Sequence, residues 1–295
     1  MDQRLPELDL ERLFVHPGVE KHLEQPVWQL ASTYVANPAF DRAMLAYCRS
    51  MVEASALRWP VNKIFAQKMR YITCYMLIGL AAHFEEGTGP APTMTLLHTM
   101  VPGSSRQVSD LISGLRVGGY VVSEQNALDR REIRLHPTPA LINEIARSPL
   151  AFIASSALLE HHTLHETLCA DTARLRSLIG RSTTAFRSMD VLFGPFETVI
   201  DFTSRDSGYL MLCALMGAHL ARSMDESWDL PLTYDALSQR FQVSRQHVGN
   251  VLSLATTRRL LTLQGGRIGD VAPRLLTEFS WWSAGQMAHF TMLAR

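Results

Sequence analysis

Apolar residues recur at helical spacing in the segment that begins at Ser104. Positions i, i+3, i+4 and i+7 of this segment are Val108, Leu111, Ile112 and Leu115. This spacing puts them on one face of a helix and leaves polar side chains on the other faces. Ser104 is a suitable N-cap, and Gln107 can close a capping box with it. The pattern predicts a helix with one buried face, preceded by a turn and by a short helix that contains Leu96, Leu97 and Met100.

After this helix the pattern changes from helical to extended. GYVVSEQ (119–125) is rich in β-branched and aromatic residues, and IRLHP (133–137) alternates apolar and basic positions. Such segments favour strands, and ALDRRE between them can form a turn. The sequence therefore predicts a hairpin with arginines near its tip.

The same order of elements is predicted a second time later in the chain. VSRQHVGNVL repeats the pattern of SSRQVSDLI, and aligning Ser104 with Ser244 requires no gap as far as Leu261. Gly265 and Gly266 then join LLTLQ to RIGDV, and Gly-Gly is a favoured two-residue hairpin turn. Apolar runs upstream of the two segments also correspond. Self-similarity over this length predicts the duplication of about one domain.

The first copy resembles the DNA-binding part of MarR-type winged-helix regulators. Three motifs carry the resemblance: Gly119-Tyr120-Val121, Asp129-Arg130-Arg131 and the return from Leu135 to Ala140. The second copy resembles a winged helix of a looser kind, since its hairpin is shorter and lacks the D-x-R element. The resemblance implies a bacterial-type transcriptional regulator that binds double-stranded DNA through two non-identical winged helices.

The resemblance also implies an architecture. The expected fold is mainly α with small β-hairpins (α+β), in which two winged helix-turn-helix domains are joined and flanked by helices. Five ranges follow: an N-terminal helical segment (1–64), a first winged helix (65–148), a helical connector (149–206), a second winged helix (207–279) and a C-terminal helix (280–295). In MarR-type proteins the flanking helices form the dimer interface and a ligand crevice. A small-molecule effector and either an intramolecular pseudo-dimer or a homodimer are therefore expected.

In each copy, the polar side chains at the start of the helix after the turn are of types that can hydrogen-bond to DNA bases. Arginine can bond guanine through two hydrogen bonds in the major groove, and glutamine or asparagine can bond adenine. Arginines in the hairpins are suited to phosphate or to the minor groove. The DNA-binding residues predicted in the first copy are Ser105, Arg106, Gln107, Ser109, Arg130, Arg131 and Arg134. Those predicted in the second copy are Ser244, Arg245, Gln246, His247, Asn250 and Arg267.

Two other interpretations stay open. Some winged helices are protein-interaction modules that do not read DNA, and Asp110 and Glu132 reduce the positive charge of the first copy. A metal- or ligand-sensing protein is the remaining alternative, because EHHTLHE places His161 and His165 at i and i+4 of one predicted helix. That spacing can bind Zn²⁺. Since the sequence identifies no third ligand, we predict no metal site.

Motifs of the common enzyme classes are absent from the sequence. It contains no P-loop, no G-x-S-x-G and no dinucleotide-binding fingerprint. We therefore expect neither enzymatic activity nor a cofactor.

Composition changes this picture little. The chain has 28 basic and 28 acidic residues, a balance that neither favours nor excludes nucleic acid. Four cysteines lie within apolar runs and are predicted to be buried reduced thiols: Cys48, Cys74, Cys169 and Cys213. The N-terminal sequence has no signal-peptide pattern, and the apolar runs are shorter than a membrane span. The expected location is the cytoplasm, without a membrane partner.

Overall fold

The computed structural model describes residues 15–53, 63, 67–101, 103–185, 189–264 and 267–295. It is mainly helical, with two small antiparallel two-stranded sheets, which confirms the predicted α+β class at that level. No helix in the described ranges combines the length and apolar character needed to cross a membrane. The helices are α1 Pro17–Glu20, α2 Pro26–Val35, α3 Phe40–Val52, α4 Lys68–Glu85, α5 Met94–Met100, α6 Ser105–Val117, α7 Pro139–Glu160, α8 Leu164–Cys169, α9 Thr172–Ala185, α10 Met189–Leu192, α11 Glu197–Thr203, α12 Gly208–Ser223, α13 Tyr234–Phe241, α14 Arg245–Thr257 and α15 Pro273–Ala294. The strands are β1 Val121–Gln125, β2 Ile133–Pro137, β3 Leu261–Gln264 and β4 Arg267–Val271.

Two segments have the same order of elements. The first unit consists of α4, α5, α6, β1, β2 and α7, and the second of α12, α13, α14, β3, β4 and α15. Helices α6 and α14 both contain 13 residues, and α7 and α15 both contain 22. The two winged helices were expected to end at positions 148 and 279. Both positions lie inside long helices, since α7 runs from 139 to 160 and α15 from 273 to 294.

The short helices of both units begin at hydroxyl caps. In the first unit, Thr93 Oγ1 accepts a hydrogen bond from the backbone N–H of Leu96, and Ser104 Oγ accepts one from Gln107 N at 3.3 Å. In the second, Ser244 Oγ accepts one from His247 N at 3.1 Å, and the Thr233 side chain caps α13 in the same way. These caps fix where each helix starts, because they satisfy N–H groups that have no partner within the helix.

One apolar face of α6 and of α14 lies in the core, as the spacing predicts. Val108, Ile112 and Leu115 of α6 are buried, and Leu111 is half-buried against the core. The corresponding buried residues of α14 are Val248, Val251, Leu252 and Ala255. The polar faces of both helices are therefore the ones left for solvent.

A hairpin follows each of these helices. In the first, β1 and β2 pair in antiparallel register from Val121 with Pro137 to Gln125 with Ile133. Thr93, before α5, forms a further antiparallel bridge with Arg134, and Leu135 N donates to Pro92 O at 2.7 Å. In the second, β3 and β4 pair with an irregularity between Leu261 and Leu263.

The helices that precede each unit pack on the other unit. Helices α2 and α3 come before the first unit, yet α2 packs on α15 and α3 on α12. Helices α8 and α9 come before the second unit, yet α8 packs on α7 and α9 on α4. Helix α3 also packs on α7, and α7 packs directly on α15. We call this arrangement the helix exchange, and through it the two units share one core.

Glycines allow the exchanged helices to cross closely. A Cβ on Gly79 of α4 would lie 2.4 Å from Thr183 Cγ2 of α9. A Cβ on Gly217 of α12 would lie 2.9 Å from Cys48 Cβ of α3, and one on Gly285 of α15 would meet the Trp28 ring of α2 at 2.6 Å. Distances below 3.0 Å leave no space for a side chain. The absence of side chains at these points therefore brings the helices of the two units into contact.

Several polar groups inside the shared core are paired between helices that are distant in the chain. Tyr47 and Tyr209 hydroxyls lie 2.6 Å apart, and Trp282 Nε1 donates to the Tyr209 hydroxyl at 3.0 Å. Burial raises the pKa of both tyrosines well above the ordinary value, so both stay neutral. Ser182 Oγ of α9 lies 2.9 Å from His289 Nε2 of α15. Each pair joins elements far apart in the chain and satisfies groups that would otherwise be costly to bury.

His289 is expected to make the protein less stable in mild acid. Burial lowers the pKa of its imidazole from 6.5 to about 4. As pH falls from about 6.5 towards 4, the unfolded chain binds a proton at this position before the folded chain does, so stability falls. The full contribution is about 3 kcal/mol. Urea unfolding of His289→Gln at pH 7 and pH 4.5 should show a smaller loss of stability than the unsubstituted protein. An equal loss in both proteins would contradict this assignment.

Two expectations about the connector are wrong. Cys169 is exposed, whereas Cys48, Cys74 and Cys213 are buried as expected. The helix predicted to contain both His161 and His165 is interrupted, because α7 ends at Glu160 and His161 adopts a left-handed conformation with φ 56°. Thr163 precedes a separate short helix, α8, and Cys169 lies at its exposed end.

Candidate nucleic-acid interface

The N-terminal part of α6 presents its polar side chains to solvent. Ser105, Arg106 and Gln107 are exposed, and the Arg106 side chain is 91% accessible. Ser109 is half-buried, and its hydroxyl lies 3.2 Å from His98 Nε2 on α5. The Ser109 hydroxyl therefore also helps to hold α6 on α5.

The N-terminal part of α14 has the same exposure. Ser244, Arg245, Gln246 and Asn250 are exposed, and the Arg245 side chain is 68% accessible. His247 is half-buried, and its Nε2 donates to the Asp206 carbonyl at 2.7 Å. The predicted residues of this helix thus lie together on one open surface, except that the His247 ring is directed to the chain before α12.

Each leading arginine is close to one carboxylate. Arg106 Nε lies 3.9 Å from Asp110 Oδ2, and Arg245 Nε lies 2.9 Å from Asp235 Oδ1. All four side chains are more than half exposed. Exposed ion pairs of this kind contribute only about 0–1 kcal/mol, so either arginine can exchange its partner for another anion or acceptor at small cost.

The first hairpin holds two of its three arginines in the open. Arg130 and Arg131 are exposed, and the loop is shaped by local bonds such as Arg131 N to Asp129 Oδ1 at 2.9 Å. Arg134 is different, because its Nε lies 2.5 Å from Glu132 Oε1 and its guanidinium lies 5.1 Å from the centre of the Phe84 ring. These contacts connect β2 to α4, so Arg134 supports the hairpin on the helix behind it.

The second hairpin is framed by other arginines. The Arg267 side chain lies outside the described residues, although the backbone of Arg267 starts β4. Arg259 is exposed just after α14, while Arg258 Nη1 lies 2.8 Å from Asp201 Oδ2 and Arg222 Nη2 lies 3.2 Å from Asp270 Oδ1. Within the described residues, Arg259 is thus the arginine nearest to α14 whose side chain forms no ion pair.

The exposed face of α6 extends beyond the predicted residues. Ser113 and Arg116 are also exposed, and they lie one and two turns beyond Ser109. Ser113 follows Arg106 at i+7, so continuing the helical spacing would have identified it. On α14, Ser253 and Thr257 extend the open face in a similar way.

The predicted placement of His161 and His165 on one helix, which suggested a weak zinc site, is wrong. His161 ends α7 in a left-handed conformation, whereas His165 lies in the separate helix α8, so the two are not on one helix face. His165 Nε2 lies 3.6 Å from Cys169 Sγ. Within the described ranges no group of three or more His, Cys, Asp or Glu side chains is arranged to hold a metal ion.

Comparison of the chain with protein-family models, curated proteins and solved structures found no match.

Proposed function

We propose that the chain is a sequence-specific, double-stranded-DNA-binding transcriptional regulator that uses two non-identical winged helices. In this proposal α5, α6, β1 and β2 form the first winged helix, and α13, α14, β3 and β4 form the second. The observation that carries the proposal is the paired solvent-facing start of α6 and α14, each capped by a serine and each presenting arginine and glutamine.

The recognition step follows from the chemistry of these helix starts. A helix N-terminus placed in the major groove brings its first side chains to base edges and its free N–H groups towards phosphate. Arg106 and Arg245 can each form two hydrogen bonds with guanine, and Gln107, Gln246 and Asn250 can bond adenine. Because the Asp110 and Asp235 pairs are weak, these arginines are free to make that exchange.

The hairpins supply contacts outside the major groove. Arg130 and Arg131 are exposed at the first hairpin and are suited to phosphate or the minor groove. Arg134 positions this hairpin through Glu132 and Phe84. Arg267 is proposed for the same type of contact in the second hairpin.

The helix exchange supports an intramolecular pseudo-dimer. Helices α7 and α15 pack on each other, and α2, α3, α8 and α9 connect the two units through one core. Two recognition helices held in this way address two neighbouring sites without a second chain. Since α6 and α14 differ in sequence, the proposed target is asymmetric.

Selection from a random pool of DNA duplexes tests the proposal. The full chain should enrich an asymmetric site, and its affinity should fall steeply as salt rises from 50 to 200 mM, by about 10³-fold if some six phosphates are contacted. A pool from which no sequence is enriched, at low as well as at physiological salt, would contradict it.

A second candidate function has one observation in its favour. Leu128 at the first hairpin is 97% exposed, and Val122 and Ile133 on its strands are about half exposed. Because Val122 pairs with His136 and Ile133 with Gln125, Val122 and Ile133 lie on opposite faces of the hairpin, and the surface offered to a protein partner is the tip around Leu128. If the DNA selection fails, this hairpin is the surface on which a protein partner should be sought.

A further inference from the structure

A cavity of about 340 Å³ that is partly open to solvent lies in the shared core. Its walls come from both units, through α4, α7, α12 and α15, from the exchanged helices α3 and α9, and from α10 and α11. This volume is within the range of sites that enclose small organic molecules. The cavity is distinct from the exposed faces of α6 and α14, none of whose residues line it.

Aromatic side chains dominate the walls. Seven of the described lining residues are aromatic: Tyr71, Tyr75, Phe152, Phe193, Tyr209, Trp282 and Phe290. Two titratable groups of the wall are neutral at pH 7, because burial lowers the pKa of His289 to about 4 and raises that of Tyr209 well above the ordinary value. The interior therefore favours an uncharged, flat and largely apolar molecule.

One polar atom in the wall has no partner. Gln286 lines the cavity and is 4% exposed, and its Nε2 has no hydrogen-bond partner within the described part of the chain. A buried amide N–H without an acceptor is costly, at about 1–3 kcal/mol. An acceptor oxygen on a bound molecule would satisfy it.

The charged side chains in the described part of the wall do not favour an anion. They are Lys68, Asp190 and Glu197, of which Asp190 and Glu197 are exposed and Lys68 is half-buried. With two carboxylates and one ammonium group, these described residues do not attract a negatively charged ligand.

We propose that this cavity binds a neutral, planar aromatic molecule that carries a carbonyl oxygen, with Gln286 donating to that oxygen. Aromatic walls contribute the affinity, and the Gln286 amide fixes the orientation of the ligand. Binding itself does not depend on any DNA-related activity. A second consequence rests on the proposed function: because both units line the cavity, a ligand that prefers one arrangement of the units changes the spacing of α6 and α14 and hence DNA affinity.

The binding experiment uses the full chain and the neutral fluorescent ketone 6-propionyl-2-(dimethylamino)naphthalene as the probe. We expect saturable binding of one probe per chain, seen as a blue shift of its emission. Ala185→Phe places a ring in the cavity and should abolish this signal, since Ala185 lines the cavity. Thr184→Phe is the matched control, because Thr184 is exposed and is not a lining residue. Gln286→Leu removes the donor and should weaken binding about 5-fold, as expected for one hydrogen bond.

Several outcomes would overturn the proposal. They are no saturable blue shift up to the solubility of the probe, unchanged binding in Ala185→Phe, or tighter binding of the anionic probe 1-anilinonaphthalene-8-sulfonate than of the ketone. Unchanged binding in Gln286→Leu would overturn the assignment of the donor. If Ala185→Phe does not unfold cooperatively, Ile200→Phe fills the cavity from another wall and replaces it in the test.

DNA affinity is measured separately with and without the probe. A cavity that binds the ketone in a protein that enriches no DNA sequence would leave this inference standing and remove the proposed function. DNA binding without probe binding would leave the proposed function standing and overturn this inference. If both bind and the probe leaves DNA affinity unchanged, the coupling between them is excluded.

Discussion

Replacing Arg245 and Gln246 together with alanine is expected to weaken binding of a selected duplex by about 100-fold. Each good arginine or glutamine contact with a base contributes about 1–3 kcal/mol of discrimination, and two such contacts are removed. The change should leave the fold intact, since both side chains are exposed and the Arg245–Asp235 pair contributes little. Fluorescence anisotropy with the selected duplex measures the loss.

The matched pair on the other unit is Arg106→Ala with Gln107→Ala. It should produce a loss of similar size, but at different base pairs, because α6 and α14 address different halves of the site. Measuring affinity for duplexes in which one base pair is changed at a time separates the two halves. Arg174→Ala, an exposed arginine at the start of α9, is the control and should change affinity less than 3-fold on the scale expected of one remote charge. If the control lost as much DNA affinity as either pair of substitutions, base recognition by α6 and α14 would be contradicted.

The first unit is expected not to fold as a monomer when it is separated from the second. A fragment of residues 1–162 lacks α9, α12 and α15, which cover α4, α3 and α2 in the full chain. The crossing at Gly79 and the ring of Trp28, which is buried against Gly285, would be exposed. Large apolar surfaces of this kind lead to aggregation, or to a dimer in which two copies exchange helices.

Circular dichroism melts combined with light scattering test this expectation. The fragment should show either no cooperative unfolding or the mass of a dimer. Coexpression with residues 163–295 is the control and should restore a cooperative transition close to that of the intact protein, because the cut falls between α7 and α8. A fragment that is monomeric and unfolds cooperatively on its own would show that the helix exchange is not needed for folding.

Local signals predicted the parts of the fold that depend on neighbouring residues. The serine caps, the apolar stripes of α6 and α14 and the strand patterns that follow them are all encoded within a few residues. The end of α7 was missed, because His161 adopts φ 56° without the glycine, asparagine or proline that usually marks such a position. A left-handed helix end at an exposed histidine has no reliable sequence signal.

The helix exchange could not be predicted from the spacing of apolar residues. Helices α4 and α12 are apolar on nearly all sides, so their sequences indicate burial but not which helix covers each side. The glycines at the crossings become informative only once their partners are known, since Gly217 meets Cys48 and Trp228, and Cys48 lies in a distant part of the chain.

The sequence predicted which side chains of the candidate site are exposed. It did not predict which residues the half-buried ones contact. A stripe of buried residues on α6 implies that Arg106 and Gln107 face solvent, as they do. The engagement of Arg134 with the Phe84 ring depends on packing between β2 and α4, and the hydrogen bond from His247 to Asp206 depends on the chain before α12. Neither partner is close in sequence, so neither contact could be inferred.

The packing of α2 against α15 also sets a condition on biosynthesis. Trp28 is translated long before Gly285, the residue of α15 against which its ring packs. Contacts between residues far apart in a chain slow folding, because a long loop must close before they form. The apolar face of α2 therefore stays uncovered until α15 has been translated, which makes the nascent protein a candidate client for chaperones that bind emerging chains.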